Sequence, residues 1–121
     1  MIKKHDLMWI GSSREDLKEF PEDVREEMGH ALYLAQCGEK SSSAKPLKGF
    51  SGAGVLEIVE NFNTDTYRAV YTVRFKRNVY VLHAFQKKSK SGIATPKKES
   101  DLINARLKAA EQHYKASTKK D

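Results

Sequence analysis

A chain of 121 residues, 39% hydrophobic and 31% charged, is sized for a single globular domain with a modest core that needs neither disulfides nor metals to hold it. The net charge of +6 is unevenly spread: residues 1–60 carry 8 Lys/Arg against 11 Asp/Glu, whereas residues 61–121 carry 14 against 5, so the basic character belongs to the second half. The lone Cys37 excludes an intramolecular disulfide, no Cys/His spacing resembles a zinc site, and the apolar run near the N-terminus is too short for a signal-peptide core or a membrane span, so a reducing cytoplasm is the expected location.

In chain order, Leu7 to Ile10 is an apolar run ended by Gly11, which predicts a first strand buried on both faces. Ser12 to Glu15 has the form of a capping box opening a short helix to about Phe20. Pro21 suits the first turn of a second helix, with Glu22, Asp23, Glu26 and Glu27 near its positive end. Val24, Met28, Ala31, Leu32 and Ala35 give that helix one apolar stripe, ending near Gly38. From Glu39 to Gly54 the composition turns to Ser, Lys, Gly and Pro, predicting an exposed connection that carries Lys40, Lys45 and Lys48. Its glycine-rich end precedes a strand instead of opening a helix, so it reads as a hinge and lacks the amide-lined terminus of a nucleotide site.

Val55 to Glu60 alternates as a strand and Asn61 to Asp65 turns the chain. Tyr67 to Lys88 then reads as a β-hairpin around the turn Lys76-Arg77-Asn78, where Asn tolerates the left-handed conformation of a tight turn. Alternation places Arg68, Thr72, Arg74 and Lys76 on one face of its first strand and Ala69, Tyr71, Val73 and Phe75 on the other, a cationic face backed by an apolar one. The second strand, Val79 to Phe85, is apolar on both faces and so central in its sheet, and it delivers a cationic end at Lys87, Lys88 and Lys90. After a polar stretch, Thr95 is the expected cap and Pro96 the first residue of a last helix. Its stripe is Ile103, Leu107, Ala110 and Tyr114, and fraying is expected from Lys115. The sum is a single α+β domain over 1–121: a small, mostly antiparallel β-sheet with two N-terminal helices and one C-terminal helix.

A concentrated basic half is the footprint of a polyanion binder, and it fits an anionic protein partner equally well. Trp9 and Tyr71 read as core, Tyr67 and Tyr80 stay open as stacking platforms, and His83, on an apolar strand, reads as a satisfied core residue.

The element order, together with Pro46-Leu47-Lys48-Gly49, Tyr67-Arg68-Ala69-Val70-Tyr71, and His83 to Ser89 followed by Thr95-Pro96, resembles the RelE superfamily of toxins, nearest its phage-associated HigB-type branch. The resemblance covers about residues 4 to 114 and implies a RelE-like fold. It also implies the toxin of a bacterial type II toxin–antitoxin system, an endoribonuclease that cuts mRNA on the ribosome and is silenced by an antitoxin, expected to be a helix-turn-helix DNA-binding protein. No metal or other cofactor and no membrane are implied. In this chemistry the ribose 2′-hydroxyl attacks the adjacent phosphate, which calls for a proton acceptor, cationic stabilisation of the phosphorane and a proton donor. By the resemblance Arg68 matches the family arginine and Lys88 the basic residue after the last strand, with Lys87 the alternative if the register slips by one. Lys48, Arg74, Lys76, Lys90 and Lys97 are the expected RNA-binding cations. Two positions depart from the pattern: Glu57 and Val59 stand where RelE-type members have a lysine pair, and no tyrosine lies near Ala94. Glu57 is then either a proton acceptor paired with Arg68 or a plain surface residue of its strand. A gyrase inhibitor of the ParE-like branch, or a degenerate member that only binds its antitoxin, are the alternatives.

Overall fold

The computed structural model describes residues 4–50, 54–87 and 96–118. The elements run β1 (Asp6–Trp9), α1 (Ser13–Lys18), α2 (Glu22–Gln36), β2 (Ala44–Pro46), β3 (Val55–Phe62), β4 (Asp65–Thr72), β5 (Asn78–Lys87) and α3 (Lys97–Thr118). The strands form one sheet in the order β1-β5-β4-β3-β2. All neighbours are antiparallel except β1, which pairs parallel with β5. The α+β class, the two N-terminal helices, the C-terminal helix and the mostly antiparallel sheet are as the sequence predicts.

The helices sandwich the sheet. On one face, Val24, Met28, Ala31, Leu32 and Ala35 of α2, with Leu17 of α1, pack on Ile58, Tyr67, Ala69, Tyr71, Val79 and Val81. On the other, Ile103 and Ala110 of α3, flanked by Leu107 and Tyr114, pack on Val70, Tyr80, Leu82 and Phe85. Both helical stripes therefore meet the sheet as their spacing requires. β5, paired on both edges, is buried from Asn78 to Phe85, in keeping with its apolar composition on both faces. Ser13, fully buried, donates its hydroxyl to the Val81 carbonyl and pins α1 to this strand.

Several local expectations are corrected. β1 is an edge strand, only half buried, because its outer edge has no partner in the sheet. The capping box does not form: the Ser12 hydroxyl donates to the Asp16 carboxylate at 2.8 Å and accepts from Arg106 at 3.1 Å, so no backbone amide is capped by it. Pro21 stands just before α2 as its cap residue, one position earlier than expected. The exposed connection contains β2, a three-residue edge strand too short and polar to show as a period. The cationic-face reading fails because β4 ends at Thr72. Beyond it Arg74 and Lys76 lie in a loop, and Phe75 crosses to the α3 side to pack with Tyr80 at 5.4 Å. A bulge sits opposite Val70/Tyr71, but its extra residue is Leu82 of β5, and the alternation along β4 itself is unbroken. Asn78 is the first residue of β5 and not a left-handed turn residue. α3 continues to Thr118, past the point where fraying was expected. The Thr95 cap and residues 51–53 of the glycine-rich hinge lie outside the described residues.

The tight hairpin joins β3 to β4, where the pair Phe62↔Asp65 leaves a two-residue loop. Asn63 and Thr64 have φ of 50° and 68°, both left-handed, as such loops demand. Asn accepts this readily, but for a β-branched Thr it is strained. Thr64→Gly is expected to raise stability by about 1 kcal/mol, read as a higher urea midpoint at unchanged slope.

Candidate functional site

The register fixes which side chains share the face covered by α3. Direct pairing across the strands gives three successive rows: Lys45, Glu57, Val70 and His83; then Val59, Arg68 and Phe85; then Asn61, Thr66 and Lys87. Partners in a row project to the same side, and positions two apart along a strand repeat it. Arg68 and Glu57 thus lie on a diagonal of adjacent rows, and Lys87 lies one row beyond Arg68.

That diagonal is bridged. The Arg68 guanidinium donates to Glu57 at 2.6 Å, and the two side chains are only 6% and 7% exposed. A buried carboxylate and guanidinium stabilise each other against desolvation, and neither is tolerated well without the other. Glu57 is therefore no plain surface residue, and Arg68 is engaged by a carboxylate beneath the surface.

Lys87 is half-buried at the end of β5. Burial holds its ammonium below the usual lysine range, with the nearby Arg68 charge adding in the same direction and Glu57 opposing. The three side chains are electrostatically linked although only two touch as an ion pair. Of the two lysines left open by sequence, Lys87 shares the Arg68 face, while Lys88 and Lys90 lie outside the described residues.

The His83 ring, between Glu99 and Arg106 of α3, anchors the helix over this face. Its Nε2 lies 2.6 Å from the Glu99 carboxylate, and the ring stacks on Phe85 at 4.9 Å between centroids. Arg106 donates to the Leu82 carbonyl at 3.0 Å and approaches His83 Nδ1 at 3.4 Å. An arginine can only donate, which favours the tautomer with Nδ1 accepting and Nε2–H donating to Glu99. The same guanidinium fills the space a side chain at Gly11 would need, 2.8 Å from where its Cβ would stand. His83 is thus the satisfied buried residue the sequence suggested.

The other expected cations do not join this cluster. Arg74 is exposed in the β4–β5 loop, in a loose ion pair with Glu111 at 3.9 Å. Lys76 lies in the same loop, and Lys48 is exposed near the start of β3. All three therefore belong to the end of the sheet away from Lys87, four or more strand positions from Arg68. Lys97, in the first turn of α3, is 87% exposed and paired with Asp101. Conversely, Lys45 was read only as a loop lysine; β2 sets it opposite Glu57, exposed on the site face. Ala44 and Pro46 on either side of it are poor strand formers, so no local signal marked Lys45 as a strand residue. The tyrosines left open as base platforms, Tyr67 and Tyr80, are core. Among the described residues no group of three or more His, Cys, Asp or Glu side chains is arranged to hold a metal, and no described helix is long and apolar enough to cross a membrane.

The family model of phage-derived, Gp49-like proteins (DUF891) matches residues 15–108. No curated protein matches the chain in sequence. Among solved structures, the fold is similar to a doubly substituted E. coli toxin RelE in the free state, with TM-score 0.52 and 18% identity over 74% of this chain and 87% of that one. The toxin–antitoxin complex RelBE2 of Mycobacterium tuberculosis matches with TM-score 0.49 and 17% identity over 74% of this chain and 98% of that one.

The geometry makes a stability prediction. Glu57→Leu alone leaves a buried guanidinium without its carboxylate and should cost about 3–5 kcal/mol, whereas Glu57→Leu with Arg68→Met should lie within about 1 kcal/mol of the native chain. Urea denaturation of both single variants and the double variant gives the cycle.

Proposed function

The chain belongs to the phage-derived Gp49-like family, within the RelE/ParE superfamily of toxins, and on that premise we propose that it is a ribosome-dependent mRNA endoribonuclease of the HigB-type branch. Its partner in the silent state is a cognate antitoxin, by analogy with the RelBE2 complex. The observation that carries the reading is Lys87: a lysine with a depressed pKa, set on the same sheet face as a buried Arg68–Glu57 pair.

In the proposed reaction the 2′-oxygen forms a bond to phosphorus as its proton passes to water, and the bond from phosphorus to the 5′-oxygen breaks as that oxygen takes up a proton. The products are a 2′,3′-cyclic phosphate and a 5′-hydroxyl. Negative charge grows on the non-bridging oxygens in the transition state, where a fixed cation is most effective. Lys87 supplies that cation, and its lowered pKa eases transfer of its proton to the departing 5′-oxygen. Arg68 and Glu57 are assigned the frame: their ion pair fixes the strands and sets the field around Lys87. Lys45, exposed on the same face, serves substrate attraction, and Arg74, Lys76, Lys48 and Lys97, exposed outside the ion-pair cluster, contribute diffuse attraction. Lys90 is kept as a cation for the RNA backbone, and Lys88 is kept as the alternative catalytic lysine.

A second reading, inhibition of DNA gyrase by protein contact, draws on one observation: an arginine held by a buried carboxylate is not free for a phosphate. Induction in a bacterial host separates the two. The endoribonuclease reading expects translation to halt while DNA supercoiling stays normal; supercoiling that changes first supports gyrase.

Lys87→Ala should slow mRNA cleavage on purified ribosomes by about 10²- to 10³-fold with the fold intact, while Lys18→Ala, on the opposite helix layer, should not. Equal losses would reduce the site to a nonspecific basic surface. The pH profile gives a further check. A reaction that needs the protonated lysine loses rate as pH rises through the depressed pKa of Lys87, so the falling limb should begin below the ordinary lysine value of 10.5 and move up in Lys87→Arg.

A further inference from the structure

On the face of the sheet opposite Arg68 and Lys87, the molecule carries a second feature that the proposed chemistry does not use. A cavity of about 320 Å³ opens between the C-terminal end of α2 and the loop end of β4 and β5, with Leu56, Tyr71, Val73, Phe75 and Val79 among its walls. Its floor is the buried Tyr71, whose hydroxyl is pushed up to about 12 by burial alone. His5, on its rim, also borders an adjoining open cleft lined by Lys4, Asp6, Lys76 and Arg77. Apolar cavity and basic cleft therefore meet at His5, and the carboxylates of Glu39 and Asp6 along them are outnumbered by Lys4, Lys40, Lys76 and Arg77.

Exposure points to the same place. Among the described residues the large hydrophobics left exposed are Tyr33, at 50%, and Val73, at 44%. Val73 is a wall of the cavity, and Tyr33 lies under the Lys4 ammonium, 5.4 Å from its ring centre, beside the cleft. A strip thus runs from Val73 across the cavity and the basic cleft to Tyr33. A small ligand would fill the cavity and leave the rest of the strip uncovered. A polypeptide covers all of it, placing an apolar side chain in the cavity and carboxylates along Lys4, Lys76 and Lys40 at the cavity's edge.

We propose that this strip is a docking surface for an acidic amphipathic segment of a partner protein, separate from the RNA-facing side of the sheet. The surface stands on geometry and charge and does not depend on the endoribonuclease reading, so either can fail alone.

The test is a titration followed by amide and methyl NMR, using the acetylated and amidated peptide Glu-Glu-Leu-Leu-Glu-Glu-Leu-Leu-Glu-Glu as the probe. Shift changes are expected at His5, Leu56, Val73, Lys76 and Val79, with Arg68 and Lys87 unmoved. Val73→Asp and Lys76→Glu, both at exposed positions that the fold does not rely on, should each weaken binding by about tenfold or more, as should Ser in place of Leu in the peptide. Several results would overturn the proposal: shifts centred on Arg68 and Lys87, undiminished binding of the serine peptide, or no binding at millimolar peptide. So would the same shifts produced by a uridine decamer, or by raising protein concentration without peptide, which would assign the strip to RNA or to a second copy of the chain.

Discussion

The ion pair between Arg68 and Glu57 is the constraint around which the site face is arranged. Two charges nearly closed off from water are costly unless each compensates the other, so β3 and β4 must keep the register that sets them on one diagonal. A slip of β4 by one residue against β3 would send Arg68 to the α2 face, among Ile58, Ala69 and Tyr71, and leave Glu57 buried on the other face without it. The pair therefore helps specify the pairing it depends on. It also sets the electrostatics at the end of β5, where Arg68 helps hold the Lys87 ammonium below its ordinary range.

β5 transmits this arrangement to the rest of the domain. It is hydrogen-bonded along both edges and packed by helices on both faces, so its residues have little freedom to move without disturbing five neighbouring elements. α1 is tied to it through Ser13 and α3 through His83 and Arg106. Lys87 is the last residue of this strand, so the proposed reactive side chain stands on the most constrained element but at its mouth. Sites built in that way gain their geometry from the scaffold instead of from a loop.

Much of this was legible in the sequence. The stripes of α2 and α3 announced themselves because each helix buries one face, and β5 did so because a strand buried on both faces must be apolar throughout. The phrase around Arg68 and the run ending at Lys87 do form adjacent paired strands, β4 and β5. What was not legible has physical reasons. Alternation along Arg68, Thr72, Arg74 and Lys76 looks like a cationic face, since a pattern of charges does not reveal that one is sealed in an ion pair, one residue is an inward hydroxyl and two lie past the strand's end. The bulge opposite Val70/Tyr71 adds Leu82 as an extra residue and shifts the period of β5 without changing its composition. β2 is too short to carry a period at all, which hid Lys45 from the site face. The cavity beneath Val73 arises from how the ends of three elements meet, and no local stretch encodes it.

The central claim is that Lys87 acts on the phosphate while Arg68 and Glu57 form its frame. Single-turnover cleavage of ribosome-bound mRNA by the Glu57→Leu/Arg68→Met double variant tests it most directly, because both charges are removed together and the fold is kept. The account predicts a rate within about tenfold of the native chain. A folded double variant that cleaves no mRNA while Lys87→Ala remains active would contradict it and give the chemistry to the buried arginine.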